Sequence, residues 1–253
     1  MIKQSKILIL FMIGISFSLV QGQGTSDLLT SNEDVINSTH SWKIIDWNEN
    51  ITLEWWTAGL FLEVQKNSKL HYNVLDADLN NYTTPATKGF VSLGNMTNLS
   101  TTNDDIASAL ALSIWPWNAG LITHTDWDKH TNDAENAAKG MFMQGIMNIT
   151  NYYSYETIGF ERSAIEYCYK QNETLGNQNT TLIYDDITGV LLYGKTEFFF
   201  DYYYVLELEL QESSLIKSSR SEITKDISIP FFTIIPIAII LTSISYQKKN
   251  KQN

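Results

Sequence analysis

Alternating apolar and polar positions dominate residues 42–211 and predict β-strands. Residues 52–64 are apolar on both faces, which predicts one central strand. Residues 69–75 place Leu70, Tyr72 and Val74 on one face and predict its hairpin partner, joined through a turn at Asn67. Residues 164–170 predict a further strand.

The clearest hairpin signal lies late in the chain. Residues 180–184 and 190–193 predict two strands around a turn at 185–189, where Gly189 can adopt a positive φ. Residues 197–211 then alternate over one long run, with aromatic and leucine side chains on one face and acidic side chains on the other. One buried and one wet face indicate an antiparallel sheet.

Two short helices are predicted between the strands. Asn103 can cap the first, which carries Ile106, Leu110 and Ile114 and stops at Pro116. Thr131 can cap the second, which ends near Gly140; this helix can also begin earlier, near Thr125. We therefore predict an α+β domain, mainly β, in which a curved antiparallel sheet carries one or two packed short helices, plus a C-terminal transmembrane helix.

The two ends of the chain predict export and anchoring. Residues 1–23 have two lysines, an apolar stretch and small polar residues, as in a signal peptide; an uncleaved N-terminal anchor is the alternative. Residues 227–246 are uncharged, and twenty helical residues span roughly 30 Å, the thickness of a bilayer core. A basic tail follows at 247–253 and favours a cytoplasmic C-terminus.

The predicted organisation has three parts between these ends. Residues 24–41 form a polar leader, residues 42–211 the extracellular β-rich domain, and residues 212–226 a juxtamembrane stalk. We expect a single-pass protein of the cell membrane with its N-terminal domain outside.

Glycosylation motifs support this orientation. The chain has eight Asn-x-Ser/Thr acceptors, and none falls in a hydrophobic end segment. They are Asn37, Asn50, Asn81, Asn95, Asn98, Asn148, Asn172 and Asn179.

Charge and cysteine content exclude some classes of protein. The 253 residues carry a formal net charge of −11, and five of the 17 basic residues lie at the two ends, so the body is more acidic still. Such a body repels nucleic acid, which we do not expect as a partner. Cys168 is the single cysteine, so an intrachain disulfide is impossible.

The densest polar cluster is a candidate metal site. His124, Asp126, Asp128 and His130 would share one face of an extended segment, and imidazole and carboxylate suit zinc. On a helix they would point in different directions and form a solvated helix entrance instead. Residues 76–80 begin like a calcium loop but lack its glycine and glutamate, and a turn is favoured.

Other candidate sites are less specific. Trp115 and Trp117 flank Pro116 and are candidate ligand-binding residues, while other aromatics suit a core. Cys168 lacks a neighbour that would lower its pKa, and Glu166 would raise it. No catalytic elbow, zinc helix or phosphate loop occurs, so no catalytic residue and no cofactor are predicted.

Several segments together resemble a large group of archaeal surface proteins of the kind predicted from Asgard-type genomes. They are residues 184–192 (YDDITGVLL), 205–210 (VLELEL), 90–94 (FVSLG) and the proline-containing anchor with its lysine tail. The resemblance implies location and not activity. More distantly, the 184–189 hairpin in a long meander is similar to the bacterial lipoprotein-carrier half-barrel, which holds acyl chains.

Three functions follow as hypotheses. The first is a non-enzymatic binding ectodomain that recognises a lipid, a glycan or a protein. The second is a surface metal-dependent hydrolase built on the His/Asp cluster. The third is a structural component of the envelope.

Overall fold

The fold is a curved, nine-stranded antiparallel sheet with a helical segment on one face. The computed structural model describes residues 31–48, 53–55, 60–62, 64–114, 116–140, 144–171, 177–200 and 202–216. The helices are α1 (Asn32–Val35), α2 (Asn103–Ala109) and α3 (Trp127–Ala138). The strands are β1 (Thr39–Trp47), β2 (Leu53–Trp55), β3 (Leu60–Leu62), β4 (Lys69–Ala77), β5 (Thr87–Leu93), β6 (Met96–Thr102), β7 (Ser113–Ile114), β8 (Trp117–Asn118), β9 (Gly145–Thr157), β10 (Phe160–Gln171), β11 (Asn177–Asp185), β12 (Leu191–Phe200) and β13 (Tyr202–Ser213).

Most strands that follow each other in the sequence are also neighbours in the sheet. The sheet runs β6-β5-β4-β1-β13-β12-β11-β10-β9, so two meanders meet where β1 pairs with both β4 and β13. Antiparallel neighbours joined by short turns are the simplest way to pair consecutive strands. The predicted mainly β class and antiparallel sheet are confirmed.

One face of the sheet is buried because its apolar residues recur every second position. Leu70, Tyr72 and Val74 of β4 are all buried, as predicted, and so are Ile165, Tyr167 and Tyr169 of β10. This face packs against the connector, which joins β6 to β9 and whose described residues 103–114 and 116–140 contain α2, β7, β8 and α3.

The connector is fixed to the β11–β12 hairpin by backbone hydrogen bonds. The N–H of Leu191 donates to the carbonyl of Leu121 at 2.8 Å, and the N–H of Thr123 donates to the carbonyl of Gly189 at 2.9 Å. Gly189 has φ +69°, and a Cβ there would collide with the Thr123 carbonyl. The predicted glycine turn is therefore confirmed, and it has a second role in docking the connector.

Asn103 fixes the connector internally. Its side chain accepts hydrogen bonds from the N–H groups of Leu121 and Ile122 and donates to the carbonyl of Ala119 at 2.7 Å. The residue is 1 % exposed. The prediction that Asn103 caps α2 is wrong, because Thr102 and Asp105 form the capping box instead.

Two strand predictions are also wrong. Residues 52–64 do not form one central strand. Within the described residues, β2 and β3 form a separate two-stranded sheet and pair only with each other. Residues 197–211 do not form one strand but the end of β12 and most of β13, which pair as a hairpin. Phe198 and Tyr204 are opposite each other and stack with ring centroids 4.6 Å apart, so they still share a face.

The two helices differ in their bounds from those predicted from the sequence. The first predicted helix ends at Ala109, and Ile114 lies in β7. The second begins after Asp126, near the earlier of the two predicted starts. The described residues run from Ser31 to Ile216 with the gaps given above, and the domain limits of 42 and 211 stay a prediction.

Among the described residues, no helix has the length and apolar character needed to cross a bilayer. The predicted signal peptide at 1–23 and transmembrane segment at 227–246 lie outside the described residues.

Replacing Asn103 by alanine tests the connector. The change removes three hydrogen bonds and leaves their buried backbone partners unpaired, so we expect the free energy of unfolding to fall by about 3 kcal/mol. Urea denaturation measures it. Asn80→Ala, in an exposed loop, is the control and should cost less than about 0.5 kcal/mol. Equal losses in the two variants would contradict a structural role for Asn103.

Candidate functional site

The predicted His/Asp cluster lies at the start of α3, where the structure separates its members. Asp126 is the N-cap, and its carboxylate accepts a hydrogen bond from the N–H of Lys129 at 3.1 Å. Asp126 and Asp128 are exposed, whereas His124 and His130 are buried. Only Asp128 and His130 lie within α3, and the exposed carboxylates at its start match the solvated helix entrance that the sequence left open.

Hydrogen bonds fix the tautomer of His130. The Trp117 indole N–H can only donate, and it lies 3.0 Å from Nδ1, which must therefore be unprotonated. The proton of the neutral ring is then on Nε2 and is donated to Thr123 Oγ1 at 2.6 Å. Both ring nitrogens are occupied, so neither can bind a metal without breaking a buried hydrogen bond.

Burial keeps His130 neutral. Desolvation, together with a smaller effect of the nearby His124, lowers its pKa from 6.5 to about 3. Protonation at Nδ1 would also break the bond from Trp117. Aromatic rings surround this imidazole, with the rings of Trp127 and Trp117 centred 5.6 and 6.1 Å away.

Tyr82 of the β4–β5 loop packs against the histidines of this cluster. Its ring stacks on His124 at 4.3 Å, its hydroxyl donates to the carbonyl of Asp126 at 2.9 Å, and Lys129 Nζ lies 4.1 Å above the ring. Burial and the nearby Asp126 raise the pKa of Tyr82. His124 Nδ1 donates to the carbonyl of Leu79 at 3.0 Å in the same loop. These contacts hold the loop against α3.

The structure thus brings the two histidines together without the two carboxylates. Within the described ranges, no group of three or more His, Cys, Asp or Glu side chains has an arrangement that could hold a metal ion. The interior between helix and sheet is filled by aromatic rings, including Trp117 and Tyr167 with centroids 4.9 Å apart.

Of the two candidate tryptophans, Trp117 is 5 % exposed and contributes to this interior. Trp115 lies outside the described residues. A buried indole that donates to His130 stabilises the connector and has no surface free for a ligand.

A surface cleft lies beside the 78–86 loop, where the sequence favoured a turn. Its volume is about 210 Å³. It is lined by Asp76, Ala77, Asp78, Thr84, Pro85 and Lys88. Asp76 faces Lys88 across the β4–β5 pair, and Thr84 Oγ1 donates to Asp78 Oδ2 at 3.2 Å. The cleft therefore offers carboxylate acceptors, an ammonium donor and a hydroxyl beside the apolar Ala77 and Pro85. Sequence reasoning considered its two aspartates only as part of a calcium loop.

Cys168 lies half-buried on the outer face of β10. Burial is the main reason that the pKa of its thiol is raised, and Glu166 adds to the effect as expected from the sequence. A thiol whose pKa is raised is a poor nucleophile at neutral pH.

Every described glycosylation motif has an exposed asparagine. These residues are Asn37, Asn81, Asn95, Asn98, Asn148 and Asn179. Asn50 and Asn172 lie outside the described residues. Exposure is a requirement for modification of a folded chain, and the six positions meet it.

Comparison of the chain with protein-family models, with curated proteins and with solved structures finds no match. The interpretation of the site therefore depends on its geometry.

Acidification tests the neutral histidine. The unfolded chain takes up a proton on His130 near pH 6.5, whereas the folded chain does so only near pH 3, so the unfolded state binds more protons between these values. Stability contributed by the neutral ring is complete above pH 6.5 and is lost as the pH falls towards 3. We expect His130 to account for a loss of about 2 kcal/mol between pH 7 and pH 5, in addition to the loss from buried His40, whose pKa is lowered to about 4.

His130→Gln is the matched variant, because glutamine keeps one acceptor and one donor but does not titrate. Urea denaturation measures the free energy of unfolding at both pH values. Its decrease from pH 7 to pH 5 should be smaller in this variant than in the wild type by about 2 kcal/mol. Asn80→Ala, which changes an exposed residue that does not titrate, should leave the pH dependence unchanged. Identical pH dependence in wild type and His130→Gln would contradict the buried neutral state.

Proposed function

We propose that the chain is a single-pass cell-surface protein whose extracellular domain binds a ligand and catalyses no reaction. The membrane holds the C-terminal segment, and the basic tail is cytoplasmic. The exposure of all six described glycosylation motifs is the observation that carries the location. It agrees with the export signal and with the lysines that follow the C-terminal apolar segment.

Binding without catalysis is supported by the state of the titratable groups. The buried imidazole of His130 has both nitrogens occupied by hydrogen bonds, and its low pKa makes it a poor base at neutral pH. The thiol of Cys168 has a raised pKa. Neither group has the activated state that general-base or nucleophilic catalysis requires.

A glycan is the ligand class that fits best. The Trp117 and Tyr167 rings between helix and sheet pack against each other, and the cleft beside the 78–86 loop is open at the surface, which supports it as the site. Its aspartates accept hydrogen bonds from sugar hydroxyls, Lys88 donates one, and Pro85 offers an apolar surface for a ring. An acyl chain would leave these polar groups unpaired, which disfavours a lipid.

The orientation is tested in intact cells that express the full chain with a C-terminal tag. We expect antibodies to label the folded domain but not the tag, and an endoglycosidase to lower the apparent mass of the chain. Permeabilised cells, in which both should be labelled, are the control. Labelling of the C-terminal tag on intact cells would overturn the proposed orientation.

The ligand class is tested with the full chain, purified in detergent, on a glycan microarray. We expect retention of at least one glycan, and at least about tenfold weaker binding by the double variant Asp76→Asn/Asp78→Asn, since each charged acceptor is worth more than 1 kcal/mol. Glu212→Gln changes an exposed acid on β13 and should bind like the wild type. Absence of any retained glycan, or equal binding by all three proteins, would contradict this proposal.

A further inference from the structure

Two strands form the edges of the nine-stranded sheet. β6 pairs only with β5 and β9 pairs only with β10 in the described sheet. β9 is 13 residues long, and its Ile146 and Tyr152 side chains are 64 % and 65 % exposed. An unpaired edge presents N–H and C=O groups on which the strand of another molecule can add.

The usual protection of such edges by charge is missing. β6 (MTNLSTT) has no charged residue, and β9 (GIMNITNYYSYET) has only Glu156 near its end. Of the seven inner strands, β5 and β11 carry one charge each and the other five carry two or more. Neither edge contains proline. The backbone bulges at Asn98 and Tyr152, where φ is positive, but residues 145–150 of β9 pair regularly with β10.

Each edge strand instead contains a glycosylation motif. Asn98 lies in the middle of β6 and Asn148 in the first half of β9, and both are exposed. The two edge strands, one uncharged and one with a single charge near its end, thus both carry an acceptor for a large polar group. Asn179 provides a comparison, because it is exposed in β11, an inner strand that is paired on both sides.

We propose that N-linked glycans at Asn98 and Asn148 prevent the edges of the sheet from pairing with a second copy of this chain. An added strand would lie about 4.8 Å from the edge, within the volume that a glycan on that edge sweeps. The glycan also hydrates the uncharged strand, as charged side chains do elsewhere. This role rests on the proposed extracellular location.

The full chain, made in a host that glycosylates these motifs, provides the test. Ser100→Ala and Thr150→Ala remove the two acceptor motifs and leave both asparagines in place, including Asn98 with its positive φ. Peptide mass spectrometry measures occupancy, and sedimentation in detergent measures self-association. We expect full occupancy in the wild type and at least about a twofold higher protein mass for the double variant, as for a dimer or larger assembly.

Two further variants identify the edge as the cause. Asn179→Gln removes a glycan from an inner strand and should leave the mass equal to that of the wild type. Adding Ile146→Lys to Thr150→Ala places a charge on exposed β9 and should reverse the association that Thr150→Ala causes. The anchor is common to all variants, so it cannot produce a difference between them.

The outcomes separate the two proposals. If Asn98 and Asn148 are unoccupied while other motifs carry glycans, the location stands and protection of the edges is wrong. If the double variant stays at the wild-type mass, or if Asn179→Gln associates equally, protection is also wrong. If no motif is occupied in a host that glycosylates a control protein, both proposals fail.

Discussion

The hydrogen bonds between the connector and the β11–β12 hairpin hold the connector in place on the sheet. Leu121 and Thr123 of the connector bond to Leu191 and Gly189 as a short strand would, although their partners lie about 70 residues away. Asn103 keeps the same stretch of connector in the required shape. Because backbone groups buried without partners are costly, this docking fixes the position of the connector on the hairpin.

The histidines acquire their properties from that docking. Once α3 is placed, His130 lies between Trp117, Thr123 and Trp127, in a space that has partners for a neutral ring but none for a charged one. The loop that carries Tyr82 then covers His124. The four residues resemble a set of metal ligands in the sequence. In the structure the two histidines are packed in the interior, while Asp126 caps α3 and Asp128 lies exposed in its first turn.

The surface divides into a cleft and two edges. The cleft beside the 78–86 loop combines two carboxylates with one ammonium group, which is the polarity we assign to glycan binding. The edges carry a single charge between them, Glu156 near the end of β9, and the asparagines to which we assign protection of the sheet. Both assignments need an extracellular domain, and the exposed acceptor motifs are the structural feature that supports one.

The sequence by itself determined the local features of this protein. Period-two alternation identified the buried faces of β4 and β10, and the glycine turn at 189 was correct, because both depend on neighbours a few residues apart. Even where 197–211 proved to be a hairpin, Phe198 and Tyr204 kept one face, since the pairing preserves the alternation.

Only the tertiary structure decided the contacts between distant segments. Alternation is the same whether a strand joins the large sheet or a separate pair, so residues 52–64 were misplaced. No local pattern shows that Asn103 binds a loop 18 residues away rather than capping its own helix, or that β6 and β9 are edges. Those outcomes depend on which buried groups find partners when the whole sheet closes against the connector, and that is a property of the assembled chain.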